Sequence, residues 1–311
     1  MKKKVILLQG GISEEREVSL ETSEAVAKAL KNLGNTCYPI DPIDFVTNGK
    51  VNYEAMLKKI KALNYDIVFN GLHGGEGENG IWQTLLEAFD IDFTGTTRMG
   101  SFISMHKKIS KLLANSLGIP VPQIFLWLTS KDRDIEQYAN CLSYPVVVKP
   151  NSSGSSVGVT IVQDPVRFIE AVDRAFQFDK EILVEEYIDG REITVPILGN
   201  RALPVVEIKP NQGWYDYAHK YTEGQSVYEV PAQLPQEEAK KVSDYAITIY
   251  EAFYCRDYAR VDFRYNGKDF YFLELNTLPG MTRLSLVPMS AKASGINFDE
   301  LINLIIEHSW R

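Results

Sequence analysis

Three oxygen-bearing side chains late in the chain could carry out metal-assisted chemistry. Glu274 and Asn276 stand two residues apart in the run 272–282, and Asp262 lies just upstream in the short run 260–264. Side chains alternate along a strand with period two, so Glu274 and Asn276 share a face if that run is extended. Two carboxylates and an amide oxygen are hard donors of the kind Mg²⁺ accepts beside substrate phosphates, and nucleotide-dependent phosphoryl transfer follows as the candidate chemistry. A solvent-facing strand end with scattered acids is the alternative reading of this segment taken by itself.

A second segment favours the phosphoryl reading. Residues 146–149 form an apolar run that ends at Lys149, with Pro150 after it; the sequence Asn151-Ser-Ser-Gly-Ser-Ser-Val-Gly158 follows, and then a second strand-like run over 159–162. A Gly/Ser turn between two strands exposes backbone N–H groups and hydroxyls that can wrap phosphates. Lys149 adds a point charge, a common phosphate contact. The pattern is not a P-loop, because the lysine precedes the loop and no G-x-x-x-x-G-K-[ST] occurs. A plain hairpin is the bland reading of the loop; lysine, loop and downstream acids together argue for a nucleotide site.

The elements that must position these groups are legible in outline. An apolar strand over 5–8, a turn at Gly10-Gly11, a helix over 19–30, a strand over 37–40, a helix over 53–63 and a strand over 66–69 alternate β and α, which predicts a doubly wound parallel sheet. Ligands of such sheets sit beyond the carboxyl ends of the strands, where Gly10-Gly11, Glu15 and Leu72-His73-Gly74 fall. A boundary is expected near Gly95, giving a first unit over 1–95, a second over 96–184 with the phosphate loop, and a third over 185–311 with the acidic strands. One helix is expected over 101–117. The stretch 211–225 has no regular pattern but carries Trp214, Tyr215, Tyr217 and Tyr221, and reads as a lid.

Composition narrows the partners. A net charge of −8 argues against a general nucleic-acid binder, so an anionic ligand needs a locally basic pocket. Cys37, Cys141 and Cys255 are widely spaced and form neither a zinc pattern nor a disulfide framework, which fits a reducing cytoplasm. The basic N-terminus leads into only a short apolar run, unlike a signal peptide, and no run approaches the roughly 20 apolar residues of a membrane span.

The motifs together resemble the D-alanine–D-alanine ligase family of ATP-grasp enzymes over essentially the whole chain. The resemblance rests on 10–19 (Gly-Gly-Ile-Ser-Glu-Glu-Arg-Glu-Val-Ser), Leu72-His73-Gly74, 77–80, Thr94-Gly95, Lys149-Pro150 with its loop, 215–221, Arg260-Val-Asp262, 274–282 and Ser285-Leu286 with Pro288. It implies a three-domain ATP-grasp fold, α/β in the first unit and α+β beyond. The implied reaction phosphorylates the carboxylate of one D-alanine with ATP and lets the amine of a second attack the acyl phosphate, a step in making peptidoglycan precursors.

Residue by residue, the resemblance implies the following. Lys107 and Lys149 hold nucleotide phosphates, the backbone of Glu185, Glu186, Tyr187 and Ile188 reads the adenine edge, and Glu192 binds the ribose. Glu186 stands where relatives often carry lysine, and its side chain is expected to be simply exposed. Asp262, Glu274 and Asn276 hold two Mg²⁺ (or Mn²⁺). Glu15, assisted by His73, binds the ammonium of the first D-alanine. Arg260 and the N–H of Gly280 form the oxyanion hole, Ser285, the Leu286 N–H and Lys220 take the carboxylate of the second, and Ser155 and Tyr221 link to Glu15 to close the lid. Tyr221 further implies D-alanine rather than D-lactate as acceptor; His219, two residues earlier, leaves the D-alanine–D-lactate type open. A homodimer is implied as well. Two departures stand out: His106 replaces the Asp of the usual Met-Asp-Lys, which removes the expected carboxylate from a helix start, and Asn79 replaces the Asp of Glu-Asp-Gly. A silent nucleotide-binding regulator is the alternative from another class, and the complete set of motif residues argues against it.

Overall fold

The computed structural model describes residues 2–132, 135–210, 226–282 and 284–309. The predicted alternation of the first unit is present. Strands Thr36–Ile40, Lys4–Leu8 and Ile67–Asn70 form a parallel sheet in that order, with the helix Arg16–Asn32 connecting the first two in sequence. The apolar run of Lys4–Leu8 is explained by burial on both faces, the rule for parallel sheets. Val5 and Leu7 enter one core with Phe69, while Ile6 and Leu8 enter another with Val68 and Trp82.

The remaining sheets are antiparallel. Ile124–Thr129, Glu181–Glu186, Val146–Pro150 and Thr160–Val162 form a four-stranded sheet in that spatial order, covered by the helix Phe168–Phe176. Ser226–Glu229, Val206–Pro210, Arg191–Leu198, Tyr258–Tyr265 and Phe270–Asn276 form the third sheet, with Arg201–Ala202 added to Arg191–Leu198. The helix Gln236–Ala252 covers it through Val242, Ala246, Ile249 and Tyr250. Among the described residues no helix is long and apolar enough to cross a membrane.

The strand Glu181–Glu186 runs across position 184, where one unit is expected to hand over to the next, and its residues 182–186 pair with Val146–Pro150. One expectation needs correction. The single helix expected over 101–117 is two, Arg98–Met105 and Lys107–Ser116, broken at His106 (φ −89°, ψ 89°). His106 caps the second helix itself: its Nδ1 accepts from the Ile109 N–H at 3.4 Å, a weak version of the cap the missing aspartate would make.

The two ends of the chain share one core. Leu301, Ile302, Ile305 and Ile306 of the last helix, Phe298–Ser309, pack with Val26 and Leu30 of Arg16–Asn32 and with Leu278 and Met281 of the turn after the last strand. Ile305→Ala is expected to destabilise the protein by about 2–5 kcal/mol, the usual cost of an aliphatic-to-alanine cavity. Urea unfolding monitored by circular dichroism checks it, and a loss below about 1 kcal/mol would mean that this junction contributes little.

Candidate active site

The acidic face is assembled by strand pairing. Tyr258–Tyr265 and Phe270–Asn276 run antiparallel with Arg260 opposite Asn276 and Asp262 opposite Glu274. Val261 and Phe263, the alternate positions, go into the core. Arg260 forks onto Asp262, Nε to Oδ1 at 2.9 Å and Nη2 to Oδ2 at 2.8 Å, and the Thr194 hydroxyl on the neighbouring strand donates to Asp262 Oδ1 at 2.6 Å. Asn276 Oδ1 accepts from the Leu278 N–H at 3.0 Å and holds the start of the Leu278–Pro279–Gly280 turn. Among the described residues no group of three His, Cys, Asp or Glu side chains is placed to hold a metal ion. Two facing carboxylates with an amide oxygen suit a hard cation.

Lysines frame this face from the other side. Lys107, at the start of Lys107–Ser116, lies 3.2 Å from Glu274 and donates to the Ser153 carbonyl at 2.6 Å, joining the Gly/Ser loop to the acidic strands. Lys149 is ion-paired with Glu185, which also meets Lys111 at 3.2 Å. The Lys111 ammonium is wholly buried and also donates to the Phe272 carbonyl at 3.3 Å. Burial drives Lys111 down to about 7 against the pull of Glu185. Burial pushes the Glu185 carboxyl up, but the two ammonium groups more than offset this and hold it below its ordinary value.

Lys111 was not among the expected site residues. The helix Lys107–Ser116 buries Lys107, Ser110, Lys111 and Ala114 while Leu112 is exposed, so its polar face points inward. Positions i, i+3, i+4 and i+7 share a helix face, and two lysines with a serine on that face were the available signal.

The neighbouring slot carries the residues expected to meet the nucleoside. Lys107, Lys149, Glu185, Glu186, Tyr187, Ile188, Glu192, Asp262 and Glu274 line one cavity. Arg264 organises its far wall, donating to the Ile188 carbonyl at 3.3 Å and to Glu192 at 3.2 Å. Glu186 is partly exposed, with its backbone N–H on the Gln123 carbonyl at 2.8 Å.

A larger cavity opens beside it, lined by Glu15, His73, Lys107, Ser155, Arg260, Glu274, Asn276, Gly280, Ser285 and Leu286 among others. Glu15 comes from the first unit, at the N-terminus of Arg16–Asn32, and accepts from the Ser155 hydroxyl at 2.9 Å. Its turn is held by the next residue: Arg16 pairs with Asp41 at 2.8 Å, and Asp41 accepts from the Gly11 N–H at 3.0 Å. Gly10 (φ +67°) has no room for a side chain there, since a Cβ would lie 2.3 Å from both Arg16 and Asp41. A Cβ at Gly280 would lie 2.8 Å from Ser285 Oγ, a looser but still close approach. Ser285 Oγ accepts from the Thr282 N–H at 2.9 Å, and Leu286 opens the helix Leu286–Ala293, where backbone N–H groups lack intrahelical partners. Lys220, Tyr221 and the rest of 211–225 lie outside the described residues.

The two cavities share Lys107, Ser153 and Glu274. One slot can take a nucleoside, the other a small zwitterion, with cations, carboxylates and backbone donors between them. The family model for the D-ala D-ala ligase C-terminus matches residues 113–307. A D-alanine–D-alanine ligase of Aquifex aeolicus is 42% identical over 306 residues, covering 97% of this chain and 99% of its own. One from Syntrophotalea carbinolica is 38% identical over 98% of this chain and 95% of its own. Among solved structures, a Bacillus anthracis D-alanine–D-alanine ligase complexed with ATP has 35% identity and a TM-score of 0.83, covering 99% of this chain and 97% of its own. A D-Ala:D-Ser ligase from Enterococcus faecalis has 28% identity, the same TM-score of 0.83, and coverage of 99% and 100%. Identity of this order over the full length, on the same fold, means that the chain belongs to the D-alanine–D-alanine ligase family of ATP-grasp enzymes.

Proposed function

We propose the following division of labour for the ATP-dependent joining of two D-alanine molecules. The observation that carries it is the convergence, around two adjoining cavities, of Glu15 from the first unit, Lys107 and Ser155 from the second, and Arg260, Glu274 and Gly280 from the third. ATP lies in the slot between Lys149 and the 185–188 segment, with the ribose on Glu192 and the phosphates toward Lys107 and Lys149. Asp262, Glu274 and Asn276 would hold two Mg²⁺ or Mn²⁺ ions, which when bound supply countercharge to the transferring phosphoryl group.

Glu15 takes the ammonium of the first D-alanine and so turns its carboxylate toward the γ-phosphate. Phosphorylation of that carboxylate gives an acyl phosphate. The amine of the second D-alanine, anchored through its carboxylate by Ser285 and the Leu286 N–H, attacks the acyl carbon. Arg260 and the Gly280 N–H stabilise the negative charge of the tetrahedral intermediate, which collapses with release of phosphate. Lys220 and Tyr221, which the family resemblance implies for the second carboxylate and for the link to Glu15, belong to 211–225, outside the described residues. We also infer a cytoplasmic homodimer with units near 1–95, 96–184 and 185–311, the second handover displaced past the strand end at Glu186.

The test is product analysis. With ATP, Mg²⁺ and D-alanine, mass spectrometry should show D-alanyl-D-alanine together with one phosphate per dipeptide. Equal concentrations of D-alanine, D-lactate and D-serine near neutral pH should still give mainly the dipeptide of D-alanine. A pool dominated by the lactate or serine product would overturn the acceptor assignment, and no product with any acceptor would overturn the ligase reading.

Lys111 supports the nucleotide end. Without it, the buried Glu185 carboxylate is balanced by Lys149 alone, and Lys149 is held back from the phosphates. Lys111→Met should raise the KM for ATP about tenfold, with a smaller change in the KM for D-alanine, and should lower stability by about 3 kcal/mol through the partly uncompensated charge. Adding Glu185→Gln to that variant should recover both losses in part. Steady-state kinetics of the single and double variants decide it, and strictly additive losses would remove the coupling.

A further inference from the structure

Thr22 sits on the helix Arg16–Asn32, 2% exposed, between the loop that carries His73 and the turn that carries Gly280. Its Oγ1 accepts the Met281 N–H at 3.1 Å, across 259 residues of chain, and lies 3.0 Å from His73 Nε2. An amide N–H can only donate, so one lone pair of the hydroxyl is committed to Met281. The hydroxyl proton is buried and needs an acceptor of its own. Among the described residues, His73 Nε2 at 3.0 Å is the acceptor within reach.

We propose that Thr22 is a positioning residue whose one hydroxyl sets both the tautomer of His73 and the seat of the Gly280–Met281 turn, coupling the first-substrate pocket to the oxyanion donor. The hydrogen-bond chain runs from Met281 N–H to Thr22 Oγ1 and from the Thr22 hydroxyl to His73 Nε2. His73 is then the neutral ring with its proton on Nδ1. That nitrogen faces Glu78 at 3.7 Å, and Glu78 Oε1 also accepts from the Gly74 N–H at 3.2 Å. Ser13 steadies the same loop by donating to the His73 carbonyl at 2.6 Å. A proton on Nδ1 is directed to the side where Glu78 lies. A second proton on Nε2 would leave the Thr22 hydroxyl donor without a partner in a buried site, a costly arrangement. The Met281 amide follows directly on Gly280, so holding it fixes the direction of the neighbouring N–H that the oxyanion needs. The proposal rests on the ligase reading for its consequence in rate, but its structural half stands apart.

The experiment uses the full ¹⁵N-labelled chain and long-range ¹H–¹⁵N spectra of the histidine rings, with His73 assigned through His73→Gln. The wild type should show His73 protonated on Nδ1 and bare on Nε2. Thr22→Val should move that proton to Nε2 or mix the tautomers and lower kcat/KM for D-alanine about tenfold or more, the scale of one lost buried hydrogen bond, with the KM for ATP unchanged within about twofold. Thr22→Ser should restore both the spectrum and, within about threefold, the rate. A wild-type His73 protonated on Nε2 overturns the proposal, as does a Thr22→Val protein with unaltered spectrum, or a Thr22→Ser protein as impaired as Thr22→Val. If Thr22→Val does not fold, the wild-type and Thr22→Ser spectra still decide. A wild type that makes no dipeptide would sink the ligase reading while leaving the tautomer to be read.

Discussion

Glu274→Gln should lower dipeptide formation about a thousandfold while the thermal midpoint stays within about 2 °C of wild type. Glu274 is not a core residue: it faces the cavity, and its side chain is 27% exposed beside Lys107. An amide of the same shape keeps the packing. What it removes is one negative charge from the place where the phosphoryl group, two lysines and the proposed cations must balance one another. A partly exposed ion pair contributes about 1 kcal/mol or less to stability, whereas charge stabilisation in a preorganised site acts on the transition state in full. Steady-state assays at saturating Mg²⁺, paired with thermal melts, separate the two effects. Near-normal turnover in this variant would mean that Glu274 has no part in the chemistry.

Arg260→Lys should cut the rate of dipeptide formation by about 10²–10³ and uncouple the two half-reactions. Lysine keeps the charge but not the planar fork that holds Asp262 by two bonds and aims the remaining N–H donors. The first step, phosphorylation of the D-alanine carboxylate, does not need the oxyanion donor; the attack of the amine does. The acyl phosphate should therefore accumulate and hydrolyse, and phosphate released should exceed dipeptide made. Measuring both products in one reaction is decisive, because a ratio held at one with little loss of rate would remove Arg260 from the second step.

Much of this site is legible in the amino-acid sequence. Period-two spacing puts Arg260 with Asp262, and Glu274 with Asn276, on common strand faces, and the apolar run at 5–8 requires burial on both sides. Ordered motifs from Gly10 to Pro288 point to the family. Local rules err where tertiary partners outweigh them. The helix over 101–117 breaks at His106, where the ring meets Asn151 and Glu181 of the neighbouring sheet.

The amino-acid sequence by itself determined which residue types stand at which period along each strand and helix, because backbone geometry makes those relations local. Only the tertiary structure decided that Asp262 pairs in register with Glu274, that Ser155 reaches Glu15 across 140 residues, and that Lys111 turns inward to Glu185 while Leu112 faces solvent. Such choices depend on countercharges and hydrogen-bond partners supplied by distant strands, and a buried lysine or hydroxyl is stable only where the fold delivers those partners to it.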